Sequence, residues 1–255
     1  MIGRSIAILT ILTLGFAPWC PRGARAQAHD MAGMPMDTTD RRVSAAVDGA
    51  MSGHLEADPH MRMSQGRPPN AADAARAAQL AVQLRDAIAK YRDVHVAEAE
   101  GYVIFMPGIP QPVYHFTNRR YGWEAGFRFD PAKPTSLIYR RAASGGYELL
   151  GAMYTAPALA SDDELDRRVP LSVAHWHQHV NWCVPQRGAD RRWAETEGGK
   201  PRFGPHSGIA TAETCAAAGW RFIPRIFGWM VHAMVEGTDD PAAIWGGGED
   251  HEHMH

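Results

Sequence analysis

Residues 174–183 read Ala-His-Trp-His-Gln-His-Val-Asn-Trp-Cys, and this run restricts the fold more than any other part of the chain. Side chains alternate across a strand with a period of two. In extended form the run sets His175, His177, His179, Asn181 and Cys183 on one face. Trp176, Gln178, Val180 and Trp182 take the other face, which is mainly apolar and suited to a core. A strand from Leu171 to Val184 is therefore expected.

The flanking sequence supplies the rest of a sheet. Tyr102–Phe105, Val113–Phe116, Phe127–Phe129, Ser136–Tyr139 and Tyr147–Tyr154 are short runs rich in aromatic and β-branched residues, separated by Pro and Gly. That pattern predicts an antiparallel sheet. The apolar segment Trp220–Val235 is expected to return to it. Ahead of the strands, Pro68-Pro69 blocks a helix upstream and Asn70 suits an N-cap. Leu80, Leu84, Ile88, Tyr91 and His95 then fall on one stripe of an Ala-rich stretch, predicting one long helix that stops before Gly101. Ser161–Glu164 has the form of a capping box, and Thr211–Gly219 reads as a short helix with a Gly terminator. The expected class is α+β: an antiparallel β-sheet with a long N-terminal helix and short additional helices.

The ends differ in composition. Arg4, the apolar run Ile6–Phe16 and the small-residue exits Ala24-Arg-Ala26 and Ala26-Gln-Ala28 form a secretory signal peptide over 1–28, too short to span a membrane. Residues 29–69 are rich in Met, His, Asp, Gly and Pro with few aliphatics, and are expected to be largely disordered. The His-rich end, 246–255, reads the same way, which leaves 70–245 as a single α+β metal-binding domain. Export places the protein in the periplasm or outside the cell. There Cys183 and Cys215 form a disulfide in the first reading, with a thiolate metal ligand as the alternative. The net charge of −2 offers no basic surface for nucleic acid, and no later stretch is long and apolar enough to span a bilayer.

The histidines carry the visible chemistry. Imidazoles at i and i+2 of a strand lie close enough to share an ion, so His177 with His179, or His175 with His177, makes a chelating pair. Further ligands must come from elsewhere. His115 and His232 sit within apolar runs and are each either satisfied core residues or ligands; His206 lies on a loop, and His95 on a helix face. Glu124 and Glu148 are possible carboxylate partners. Several neutral imidazoles suit copper, zinc or iron and do not suit Mg or Ca. The ends favour copper: His29-Asp-Met-Ala-Gly-Met-Pro-Met36, His60-Met-Arg-Met63 and His251-Glu-His-Met-His255 mix imidazole with thioether. His29, His60, Met61 and Met63 are thus candidate tail ligands, and the 60–63 stretch is placed to dock on the domain. Cleavage after Ala26 or Ala28 would put His29 third or first in the mature chain, either of which can chelate Cu(II).

From about Asp58 to Trp245 the chain resembles a group of uncharacterised exported bacterial proteins. The matching stretches include Pro59–Met63, Gly101–Pro107, Tyr114–Asn118, Gly151–Pro157, Trp176–Asn181 and Phe227–His232. The resemblance implies that His115, His177, His179 and His232 act together and that His175 stands outside the pattern; it brings no known activity. Three readings follow. The first is an exported copper-binding protein with its site on the strand 174–183. The second is a mononuclear copper or iron oxidoreductase with three His ligands and an open position. The third is an interaction domain without a metal.

Overall fold

The structure is a computed structural model that describes residues 58–105, 107 and 113–246. The expected leader 1–28, His29, most of the Met/His-rich segment and the end beyond 246 lie outside the described residues.

The described chain is α+β. It begins with β1 (Met61–Met63), followed by helix α1 (Ala71–Ile88). Asn70 caps α1, its side chain accepting from the Asp73 amide at 3.0 Å. One long helix as far as Gly101 does not form. The chain passes through a 3-10 turn, Ala89–Arg92, and restarts as α2 (Val94–Ala99). Two interactions break the run. The Tyr139 hydroxyl donates to the Tyr91 carbonyl, and the Asp93 carboxylate caps the new helix by accepting from the His95 amide. His95 consequently leaves the apolar stripe and is exposed, paired with Glu98.

Next come β2 (Val103–Ile104), β3 (Val113–Thr117), α3 (Arg119–Glu124), β4 (Ser136–Arg141) and β5 (Tyr147–Ala156). Phe127–Phe129 is not a strand. The Glu124 carbonyl accepts from the Phe127 and Arg128 amides, turning the chain after α3. Helix α4 (Asp162–Arg168) opens on the Ser161/Glu164 capping box. β6 (His177–Val184) is shorter than the expected strand, because Pro170 accepts from the Val173 and Ala174 amides and holds 171–174 in a turn. The chain continues through β7 (Thr196–Glu197), β8 (Lys200–Pro201), α5 (Ala212–Ala217), β9 (Arg221–Arg225) and β10 (Trp229–Met234). It closes with α6 (Pro241–Trp245), a helix with no counterpart in the sequence reading.

The main sheet runs β1-β6-β10-β5-β4-β3-β2, with β9 also on β6, and every pairing is antiparallel. One face packs on the helices. Phe116, Leu137, Tyr139, Tyr154, Trp229 and Val231 from the strands meet Leu84 and Ile88 of α1 and Trp245 of α6. The Trp245 indole donates to the Ala77 carbonyl, tying α6 to α1. The Cys183–Cys215 disulfide joins β6 to α5. No helix among the described residues is long and apolar enough to cross a membrane.

Arg67 fastens the start of α1 to α4. Its guanidinium donates to both Asp73 carboxylate oxygens and to both of Asp166. The hydrogen bond from Arg67 holds the Asp73 carboxyl down at about 2. A depressed folded-state value contributes stability that is complete above the ordinary 3.8 and is lost as pH falls through about 2. Asp73→Asn should therefore melt below wild type at neutral pH. Thermal melts from about pH 5 to about pH 2 should show the gap narrowing as the wild-type carboxylate is protonated.

Candidate functional site

The second face of the sheet carries the histidines. Pairing fixes their positions strand by strand. His115 on β3 lies opposite Ile138, and Ile138 lies opposite Gly151 on β5. His232 on β10 lies opposite Met153 on β5. His177 on β6 lies opposite Met230 of β10 on one side and Met63 of β1 on the other, while His179 lies opposite Met61. Directly paired residues point to the same side of a sheet, as do residues two apart on one strand. His115, His177, His179 and His232 are therefore on one face, with Met61, Met63, Met153, Met230 and Met234 among them.

The four rings form a chain of contacts. His115 Nε2 and His232 Nε2 are 3.3 Å apart. Ring centroids are separated by 5.5 Å for His115–His232, 5.1 Å for His177–His232 and 5.8 Å for His177–His179. His177 is buried and the other three are half-buried. Trp182 and Phe227 pack against His179, and Phe105 against Phe227, forming an aromatic rim.

Burial makes these imidazoles neutral. It pushes His115 and His177 down to about 4 and His179 to about 3, and it drives His232 well below the ordinary range. Mutual repulsion among the rings adds to the effect on His177, His179 and His232. Each ring then keeps one nitrogen lone pair at neutral pH, the form that binds a metal. His179 Nδ1 is buried and has no hydrogen-bond partner, as is His206 Nε2. Buried orphan nitrogens are uncommon and invite a ligand. Among the described residues, no three His, Cys, Asp or Glu side chains are already closed around a common point for an ion.

The other candidates fall elsewhere. His175 precedes β6 and is exposed. The alternation expected to carry Asn181 and Cys183 along with the histidines ends at Asn181, which takes a φ of 57°. Asn tolerates that left-handed conformation better than most residues. Cys183 is committed to its disulfide. Glu124 pairs with Arg120 and Lys133, and Glu148 with Arg140. His29 is outside the described residues. His60 is almost fully buried, with Nδ1 2.9 Å from the Asn181 carbonyl and Nε2 2.7 Å from the Ser207 carbonyl. Both ring nitrogens face carbonyl oxygens, so neither points to open space where an ion could sit. It acts as a peg that seats β1 beside β6, helped by the Asn181 amide on the Pro59 carbonyl. Met153, Met230 and Met234 were not singled out from the sequence. The signal for Met230 and Met234 was present in Met230-Val-His232-Ala-Met234, which has the same period of two as 175–179; Met153 had none.

No protein-family model, curated protein or solved structure was found to match the chain.

Replacing the peg strips the Asn181 and Ser207 carbonyls of their contacts with the ring, at least one of which is a donated hydrogen bond. His60→Ala should cost about 2 kcal/mol in urea unfolding. Hydrogen exchange should show the loss concentrated at the Met61–Met63 amides; uniform loss across the fold would contradict the peg.

Proposed function

We propose that this chain is an exported copper-binding protein that holds the ion with His115, His177, His179 and His232. The observation that carries the reading is the spacing of the rings. Four imidazoles bound tetrahedrally at about 2.0–2.1 Å place neighbouring nitrogens about 3.3 Å apart and ring centroids about 5.2 Å apart. The His115–His232 nitrogens are separated by 3.3 Å, and the three ring-to-ring contacts span 5.1 to 5.8 Å. Three of the six ring pairs thus already stand near the separation that one ion requires, and closing the set calls for turning rings about their side-chain bonds. Loss of the His115–His232 hydrogen bond is the cost; filling the His179 Nδ1 vacancy is part of the return.

Copper is favoured over zinc and iron by the neighbours. Met61 and Met63 stand in register with His179 and His177, and imidazole with thioether suits copper in both oxidation states. Four protein donors fill a tetrahedral shell, which supports holding or handing on the ion over chemistry at an open position. The disulfide fits an oxidising compartment, in keeping with the leader read at 1–28 and a periplasmic or secreted location.

The test is Cu(II) titration of full-length apo-protein, purified without a metal column, against His115→Ala/His232→Ala, read by electron paramagnetic resonance. The double variant should lose one equivalent with nitrogen hyperfine structure, leaving any copper held by the tails. Equal stoichiometry and affinity in the two proteins would sink the reading.

A further inference from the structure

The methionines are distributed in a way that packing alone does not explain. Five methionines fall among the described residues: Met61, Met63, Met153, Met230 and Met234. Pairing puts all five on the histidine face. The large core on the other face has twenty-five buried residues and no methionine. The small cluster on the histidine face has five buried residues, of which three are methionines: Met153, Met230 and Met234 beside Ile138 and Leu150. Methionine used only as adaptable filler would serve the larger core at least as well.

The register brings these three together around one histidine. Met230 and Met234 flank His232 at two residues on either side, and Met153 lies directly across from His232 on β5. Met153 is therefore diagonal to both, within reach of long flexible side chains. All three are buried and packed in one cluster. Thioethers carry no charge and do not titrate, so they can be gathered in an apolar setting at little desolvation cost. Such a set has weak affinity for Zn(II) and selects soft monovalent ions.

We propose that Met153, Met230 and Met234 form a second metal site, a thioether site for Cu(I), beside the imidazole cluster. The site goes beyond the imidazole reading and does not depend on it. His232 separates the two sets and belongs to the imidazoles, while the sulfurs alone make up the soft site. An ion held by imidazoles in either oxidation state would then have a neighbouring position that accepts only the reduced form.

The test uses Ag(I), a redox-inert probe of Cu(I) chemistry, on full-length protein with ¹³C-labelled methionine methyl groups. The Met153, Met230 and Met234 resonances, assigned from single Met→Leu variants, should shift together on adding Ag(I) and stay unmoved with Zn(II). The same shifts should persist in His115→Ala/His232→Ala, which separates this site from the imidazole one. Leu nearly conserves the volume of Met, so Met153→Leu/Met230→Leu/Met234→Leu should keep the wild-type near-ultraviolet circular dichroism. It should lose the Ag(I) equivalent, or weaken it by at least the roughly tenfold that even an outer-shell partner costs. The proposal is overturned if the three resonances stay put while other methionines take the ion, or if the triple variant binds Ag(I) like wild type.

Discussion

The register of β10 on β5 governs both faces of the sheet. Trp229, Val231 and Ala233 enter the helix-covered core, and Met230, His232 and Met234 enter the histidine face. A slip of one residue would exchange the two sets completely. Glycines hold the register by close approach. A Cβ on Gly151 would lie 2.1 Å from the Ala233 carbonyl oxygen, and one on Gly228 would lie 2.1 Å from that of Ala156. Those contacts clamp both ends of the β10–β5 pairing, because only the backbone fits there. The Trp229 indole adds a directional lock by donating to the Ala160 carbonyl.

With the register fixed, the histidine face faces an electrostatic problem. Four imidazoles gathered on a poorly hydrated surface cannot all be positively charged, since each would repel the others and lack water. Glu124 and Glu148, the candidate carboxylate partners, are paired with cations elsewhere and do not offset such charge. The rings stay neutral and partly self-satisfied, through the His115–His232 contact, with an orphan nitrogen on His179. A neutral, donor-rich and slightly under-satisfied cluster is poised for a cation. Methionine is the side chain best matched to such a place, since it fills space around the rings without competing for their protons.

Much of this was legible in the sequence where local rules act alone. Asn70, Ser161 with Glu164, and Thr211 each cap the helix they precede, because capping needs only a side chain and the next turn of backbone. The period of two around His177 and His179 marked a strand for the same reason. What was hidden depended on distant partners. Tyr139 reaches 48 residues back to Tyr91 and ends a helix whose own apolar stripe continues. His60 looked like a tail ligand until the carbonyls of Asn181 and Ser207, over a hundred residues away, took both its nitrogens. Phe127–Phe129 had strand composition but sat within reach of the Glu124 carbonyl.

The meeting point of these effects is β6. Before Asn181 it pairs with β1 and β10, meets β9 at Val180, and carries His177 and His179; beyond Asn181 it pairs only with β9 and carries Cys183. The positive φ at Asn181 separates a half that serves the histidine cluster from a half that is anchored by the disulfide to α5. Asn181 also binds both sides of the peg, its carbonyl taking the His60 ring and its amide the Pro59 carbonyl. A β-branched residue there would resist the left-handed backbone and supply no amide. The kink, the peg and the strand of imidazoles are therefore one construction. The His-x-His spacing brings two rings together, and the chain's return at 58–63 keeps the sheet edge beside them covered and sets two thioethers in register with them.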